Sequence, residues 1–299
     1  MAVVLALLAV QALFGVHYYA ARRILEEVPP FTWATLRVTA AALLLLPIAW
    51  WRGRAAGLPG RGDLLRLGGL SLLGVVINQV CFVEGLSRTT PTHSSLITCA
   101  IPVVTLLVAL LLGHETAGPL KLCSIALSLA GVLTLLRVDT LAWDRVTHGD
   151  LLTLVNATSY STFLVLSRPL LTRLDALVAS AALFVFGSIV LLPLGTGGIL
   201  ALDPAALSAG FWGWAAFVIL GATITAYVLN YYALRRVSSS TVALFIYLQP
   251  ILAAALDSLL LGTPLTPRLG LAALLIFGGV FLSFRAGRRR PVTPLPRGA

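Results

Sequence analysis

"SLITCAIPVVTLLVALLLG", residues 95–113, sets a proline inside an apolar run long enough to cross a bilayer; "ALFIYLQPILAAALDSLLLG", residues 243–262, does so again. Pro102 and Pro250 are 148 residues apart, and the same offset brings Arg88 onto Arg236, Pro119 onto Pro267, Gly131-Val132 onto Gly279-Val280, and Arg137 onto Arg285. Upstream the offset is 146, pairing Arg22 with Arg168 and Pro47 with Pro193. The chain is read as a duplication.

Turn and charge signals cut each copy into five apolar segments. In the first they run at about 2–20, 32–51, 64–86, 91–113 and 119–137; in the second, at about 149–167, 176–194, 211–233, 239–262 and 268–286. A spanning helix needs roughly 20 mostly apolar residues. The expected fold is therefore all-α and integral to the membrane, with ten transmembrane helices. Five is odd, so the second copy enters from the opposite side, and a direct repeat in sequence becomes two inverted-topology five-helix repeats. The expected division is residues 1–138 for the first repeat, 139–148 for a connecting loop, 149–287 for the second repeat and 288–299 for a basic cytoplasmic tail.

Composition agrees. Of 299 residues, 59% are hydrophobic and 11% charged, with mean hydropathy +0.97, whereas a soluble chain carries about a quarter charged residues. The net charge of +10 falls in short clusters between apolar runs, without a basic face interleaved with aromatics, so no nucleic-acid partner is expected. Cys81, Cys99 and Cys123 lie inside apolar runs with no C-x-x-C spacing, which favours packing over disulfides or metal. The first twenty residues lack a basic leading region and read as the first membrane helix, not a cleaved signal. Residues 195–210, "GTGGILALDPAALSAG", read as a long connection with Asp203-Pro204 opening a short surface helix.

Basic residues orient the chain. With the N-terminus inside, fourteen Lys and Arg fall on the inner side, six on the outer, and Arg37 within a span. Both termini are expected in the cytoplasm, in the cytoplasmic (inner) membrane. Arg37, about five residues inside its helix end, is expected to snorkel outward as an anchor.

Polar groups inside spans are costly and carry a functional expectation by default. The substrate-binding candidates are Gln11, Asn78, Gln79, Tyr160, Tyr227, Asn230, Tyr231, Tyr247 and Gln249. Thr223, Tyr227, Asn230 and Tyr231 fall at i, i+4, i+7 and i+8, one face of a helix. The competing reading is interhelical hydrogen bonding, worth roughly 0.6–2 kcal/mol each. Tyr18 is placed near the end of the first helix, away from the site. Glu84 and His93 flank a short loop and form a candidate proton-coupling pair, against a structural ion pair or two separately solvated groups. Pro102 and Pro250 are expected to kink their helices around a cavity, where freed carbonyls find other partners; alternatively they only shape packing. The small-residue runs "GGLSLLG", "ALSLAG" and "LIFGGV" suggest close helix packing, with dimerisation as the lesser alternative.

The stretches beginning "GLSRTTPTHSSLITCAIPVV" and "ALRRVSSSTVALFIYLQPIL" resemble the ten-helix EamA-type branch of the drug/metabolite transporter superfamily. They share its Leu-x-x-Thr/Ser opening, mid-helix proline and Gly-Val in the fifth helix. "QALFGVHYYAARRIL" is similar to the family's first helix, and "ATLRVTAAALLLLP" to its second, Arg37 included. The family's acidic residue after Leu-Leu-Leu-Gly stands here as Glu115, read as a helix-end or loop residue, and is missing from "LLLGTPLTP".

The resemblance implies secondary transport without ATP. The expected function is export of a small metabolite, an amino acid or related zwitterion first, by alternating access. Hydrophobic cations are the runner-up substrate, and a passive channel or membrane enzyme the lesser alternatives. No cofactor, metal or catalytic group is expected. The partners would be the lipid bilayer, a small-molecule substrate and protons as coupling ion, with the chain a monomer or weak homodimer.

Overall fold

The computed structural model describes residues 1–89, 94, 97–116, 118–135, 148–249, 251–252 and 267–288; Pro250, His93 and the basic tail beyond Arg288 lie outside them. All regular structure among the described residues is helical: α1 (Ala2–Leu25), α2 (Pro30–Ala56), α3 (Arg61–Arg88), α4 (Ile101–Leu111), α5 (Pro119–Leu135), α6 (His148–Leu171), α7 (Ala176–Leu200), α8 (Ala209–Leu234), α9 (Ser239–Leu248) and α10 (Pro267–Arg288). Of these, α1, α2, α3, α7 and α8 are long and apolar enough to cross a membrane, and α4, α5, α9 and α10 include shorter apolar helices. Large side chains such as Leu43, Ile48, Trp51 and Leu194 point outward, as expected where lipid replaces water.

The helices pair in a pattern that survives exchange of the halves. α2 packs on α7, α4 on α9 and α5 on α10; α1 on α8 is matched by α6 on α3, α2 on α8 by α7 on α3, and α4 on α6 by α9 on α1. The small-residue runs serve these crossings. A Cβ on Gly131 would meet Ile276 at 2.8 Å, and one on Gly279 would meet the Ser124 carbonyl at 2.5 Å, so "ALSLAG" and "LIFGGV" seat α5 against α10.

Two local expectations are corrected. The Gly-rich run after residue 194 is not a loop: α7 continues to Leu200 because Gly195 and Gly198 lie directly against Thr35 and Thr32 of α2, where no larger residue fits. Asp203 opens a turn, its Oδ1 accepting from Ala205 N at 2.9 Å, and not a surface helix. At Pro102 the helix is interrupted: residues 97–98 are helical just before the break. The chain turns at Cys99–Ala100 and α4 starts afresh at Ile101, so Pro102 occupies the first turn, where its missing N–H costs nothing. In the second half α9 tightens into a 3-10 run at Phe245–Leu248, just before Gln249; Pro250, where the second kink is expected, lies outside the described residues.

A candidate substrate cavity between the halves

α3 and α8 each carry a π-helical run, Leu72–Ile77 and Phe217–Thr225, at overlapping positions of the repeat. A π turn inserts a residue and re-aims every side chain after it; such turns gather at functional sites. In α8 the widened backbone is held by Thr223 and Thr225, whose hydroxyls donate to carbonyls five residues back, Val218 O and Leu220 O, both at 2.8 Å.

The residues just past the two π runs meet. Gln79 Nε2 donates to Tyr227 Oη at 2.6 Å, and Tyr227 Oη donates to Asn78 Oδ1 at 3.0 Å. Gln79 and Tyr227 are repeat counterparts, 148 residues apart, so a bond between them lies where the two copies face each other. Ser128 Oγ to Ile276 O, at 3.3 Å, has the same 148-residue separation. Nearby, Asn156 Nδ2 donates to Asn78 O at 2.7 Å, Asn230 Nδ2 to Tyr160 Oη at 2.5 Å, and Gln249 Nε2 to Gln11 Oε1 at 2.7 Å.

These groups border a small cavity of about 70 Å³. Of the sequence candidates, Asn78, Gln79, Tyr160, Tyr227 and Gln249 line it. Gln11 and Asn230 stand behind, holding Gln249 and Tyr160 in place. Tyr231 and Tyr247 are absent from the lining: both are sealed in the apolar core, and their hydroxyls have no partner among the described residues. Tyr231 shares a helix face with Tyr227, but one turn further along that face has passed the cavity and meets Phe163, ring centroids 5.8 Å apart. Nothing in the structure explains its unpaired hydroxyl.

The cavity's other end holds two residues that the sequence places outside it, Arg37 and Tyr18. Arg37 is not an outward anchor: it is 1% exposed and lines the cavity. Its Nε donates to Thr223 Oγ1 at 2.5 Å, its Nη1 contacts His17 Nε2 at 3.0 Å, and its Nη2 reaches Ala222 O at 3.5 Å. α2 begins at Pro30, so Arg37 is two turns in, on the face turned to α1 and α8 and away from lipid. Arginine only donates, so His17 Nε2 accepts and the ring is neutral with its proton on Nδ1. His17 stacks on Phe82 at 5.2 Å. Tyr18, expected outside the site, lines the cavity and donates to Thr98 Oγ1 at 3.3 Å. The available signal was depth: His17, Arg37 and Thr223 are polar residues in apolar segments of three different helices.

Glu84 and Glu115 lie elsewhere. Glu84 pairs with Arg88 one turn on, at 2.7 Å; its expected partner, His93, falls outside the described residues. Glu115 is a structural clasp: it accepts from Ser240 N at 3.2 Å and Ser240 Oγ at 2.6 Å, at the N-terminus of α9, and pairs with Lys121. A carboxylate suits that end of a helix dipole. Among the described residues no three His, Cys, Asp or Glu gather as a metal site would require.

A membrane-embedded, multi-pass helical protein with a polar cavity between two matching halves belongs to a definable class. The EamA-like transporter family matches residues 1–137 and again 147–285, and the chain belongs to that family, within the drug/metabolite transporter superfamily. An uncharacterized transporter of Archaeoglobus fulgidus is 29% identical over 236 residues, covering 77% of this chain and 79% of the relative. An uncharacterized protein of Pseudomonas aeruginosa is 31% identical over 261 residues, 86% of this chain and 85% of its own length. The transporter YetK of Bacillus subtilis, also uncharacterized, is 23% identical over 93% of this chain and 85% of its own. A solved crystal structure shares the fold, with a TM-score of 0.74 and 20% identity over 97% of this chain and 98% of that one.

Proposed function

We propose that the protein is a secondary carrier that moves a small polar metabolite across the cytoplasmic membrane by alternating access, in the export direction, with amino acids and related zwitterions as its first substrates. The observation that carries this is one polar cavity walled by both halves, at the level where counterpart residues Gln79 and Tyr227 touch. A site at a repeat interface suits a carrier whose halves rock about it. Ten crossing helices in two inverted five-helix repeats are part of the proposal, supported by the exchange symmetry of the helix pairing. So are a monomeric or weakly dimeric state and cytoplasmic termini. Hydrophobic cations fit less well, because the ionised side chain in the cavity wall is Arg37. Counterflow in proteoliposomes separates a carrier from a channel or an enzyme.

The orientation has its own test. In a variant without Cys81, Cys99 and Cys123, single cysteines at Leu58 and Ala209, both exposed beside helix ends, should react with an impermeant maleimide from opposite sides, Leu58 from the cytoplasm. Gly57 is avoided because its φ of +86° suits glycine. Labelling of both from one side rules out the proposed topology.

Protons as coupling ion, through Glu84 and His93, belong to the same proposal. The Arg88 pair gives Glu84 a structural use that competes with it. A Glu84→Gln variant should lose the pH dependence of uptake; unchanged rate and pH profile would remove Glu84 from coupling.

A further inference from the structure

Arg37 raises a question that helix packing does not answer. A guanidinium buried among membrane helices is costly unless an opposite charge accompanies it. Its three partners, Thr223, His17 and the Ala222 carbonyl, are all neutral. No carboxylate pairs with it among the described residues. A guanidinium has five N–H donors, so two remain without an acceptor. Yet the side chain borders the cavity instead of turning to the interface.

We infer that Arg37 is the carboxylate-binding residue of the cavity, and that the substrate brings the missing negative charge as a carboxylate. This deepens the carrier reading and rests on it. The planar fork suits a carboxylate, which takes two parallel N–H···O bonds. Neutral His17 and Thr223 fix the guanidinium plane as acceptors without neutralising it, which leaves its charge for the ligand. Phe14, Phe82 and Tyr227 also line the cavity; they give an apolar surface to the rest of the substrate and, for an amino acid, ring faces for its ammonium. An anchor that needs a negative charge disfavours simple organic cations and neutral amides alike.

The full-length protein purified in detergent is tested by thermal stabilisation against the twenty L-amino acids, their 2-oxo acids, the carboxamide of each, and tetraphenylphosphonium. At least one acid should stabilise the wild type, with its carboxamide roughly 10- to 150-fold weaker, the loss expected for hydrogen bonds to a charged group. Arg37→Gln should weaken the acid by a similar factor and erase the difference between acid and amide; Arg37→Lys, which keeps charge but not the fork, should recover part of it. If Arg37→Gln does not fold, the comparison of acid with amide on the wild type decides alone. A carboxamide or tetraphenylphosphonium that binds as well as every acid, or a panel in which no carboxylate binds, overturns the inference. An acid that binds but is never exchanged across proteoliposomes overturns the carrier reading and leaves the Arg37 assignment standing. Counterflow of an amide or cation does the reverse.

Discussion

Tyr227→Phe is expected to cost about 1–3 kcal/mol of stability and to slow transport by roughly tenfold or more, the kinetic equivalent of about 1.4 kcal/mol. The substitution leaves the ring among Phe14, Phe184 and Tyr231 and removes only the hydroxyl. That hydroxyl is the partner of both Gln79 Nε2 and Asn78 Oδ1, so two buried amide groups lose their bonds at once. Removing one member of a buried polar pair costs more than removing both. The variant carrying Gln79→Leu with Tyr227→Phe should therefore be more stable than the sum of the single losses implies, by about 0.5–3 kcal/mol. The measurement is melting temperature in detergent, with initial uptake rates on the same four proteins. Strictly additive losses would mean that the bond contributes nothing between the halves.

Gly149→Val should have the largest effect on folding. Gly149 opens α6 where it crosses α3, and a Cβ there would lie 2.6 Å from the Arg88 carbonyl carbon and 2.8 Å from the carbonyl oxygens of Arg88 and Gly85. These are backbone atoms on a packed helix and cannot swing aside as a side-chain tip does. Overpacking costs typically 1–3 kcal/mol, occasionally more, and a backbone clash belongs at the upper end. The expected result is loss of the monodisperse peak in detergent. Gly213→Val, on an exposed stretch of α8 with no atom within 4 Å of the new Cβ, should elute as the parent does. Equal behaviour of the two variants would mean that α3 and α6 are not in contact there.

The fold was legible in the sequence wherever hydrophobicity decides. Apolar runs and charge clusters located the helices, because burying apolar surface in lipid depends on composition more than on detail, but not their ends: α2 runs to Ala56 and α7 to Leu200, past the expected 51 and 194, and α4 starts at Ile101. What composition could not convey was which close contact a residue serves. Gly195 and Gly198 look like turn formers in a string of letters, yet they are small because Thr35 and Thr32 press on α7. The π runs in α3 and α8 leave no mark on periodicity, so the facing of Gln79 and Tyr227 was hidden although both were named. Tyr231 was misplaced because a shared helix face fixes direction and not depth. Arg37 differs for another reason: its nearness to the helix end suggests a snorkelling anchor, although its place in an apolar segment, like that of His17 and Thr223, also fits a buried group, and packing decides which way the side chain turns.

Counterflow tests the central claim most directly. Proteoliposomes holding the purified protein are loaded with a millimolar excess of an unlabelled acid that stabilises it, then diluted into a trace of the same compound carrying a radiolabel. A carrier whose cavity faces one side at a time exchanges inside for outside molecules, so the label should accumulate transiently above equilibrium, and the overshoot should vanish with Arg37→Gln. A label that only rises to equilibrium, with or without the internal load, would contradict alternating access and mark the cavity as part of a passive pore.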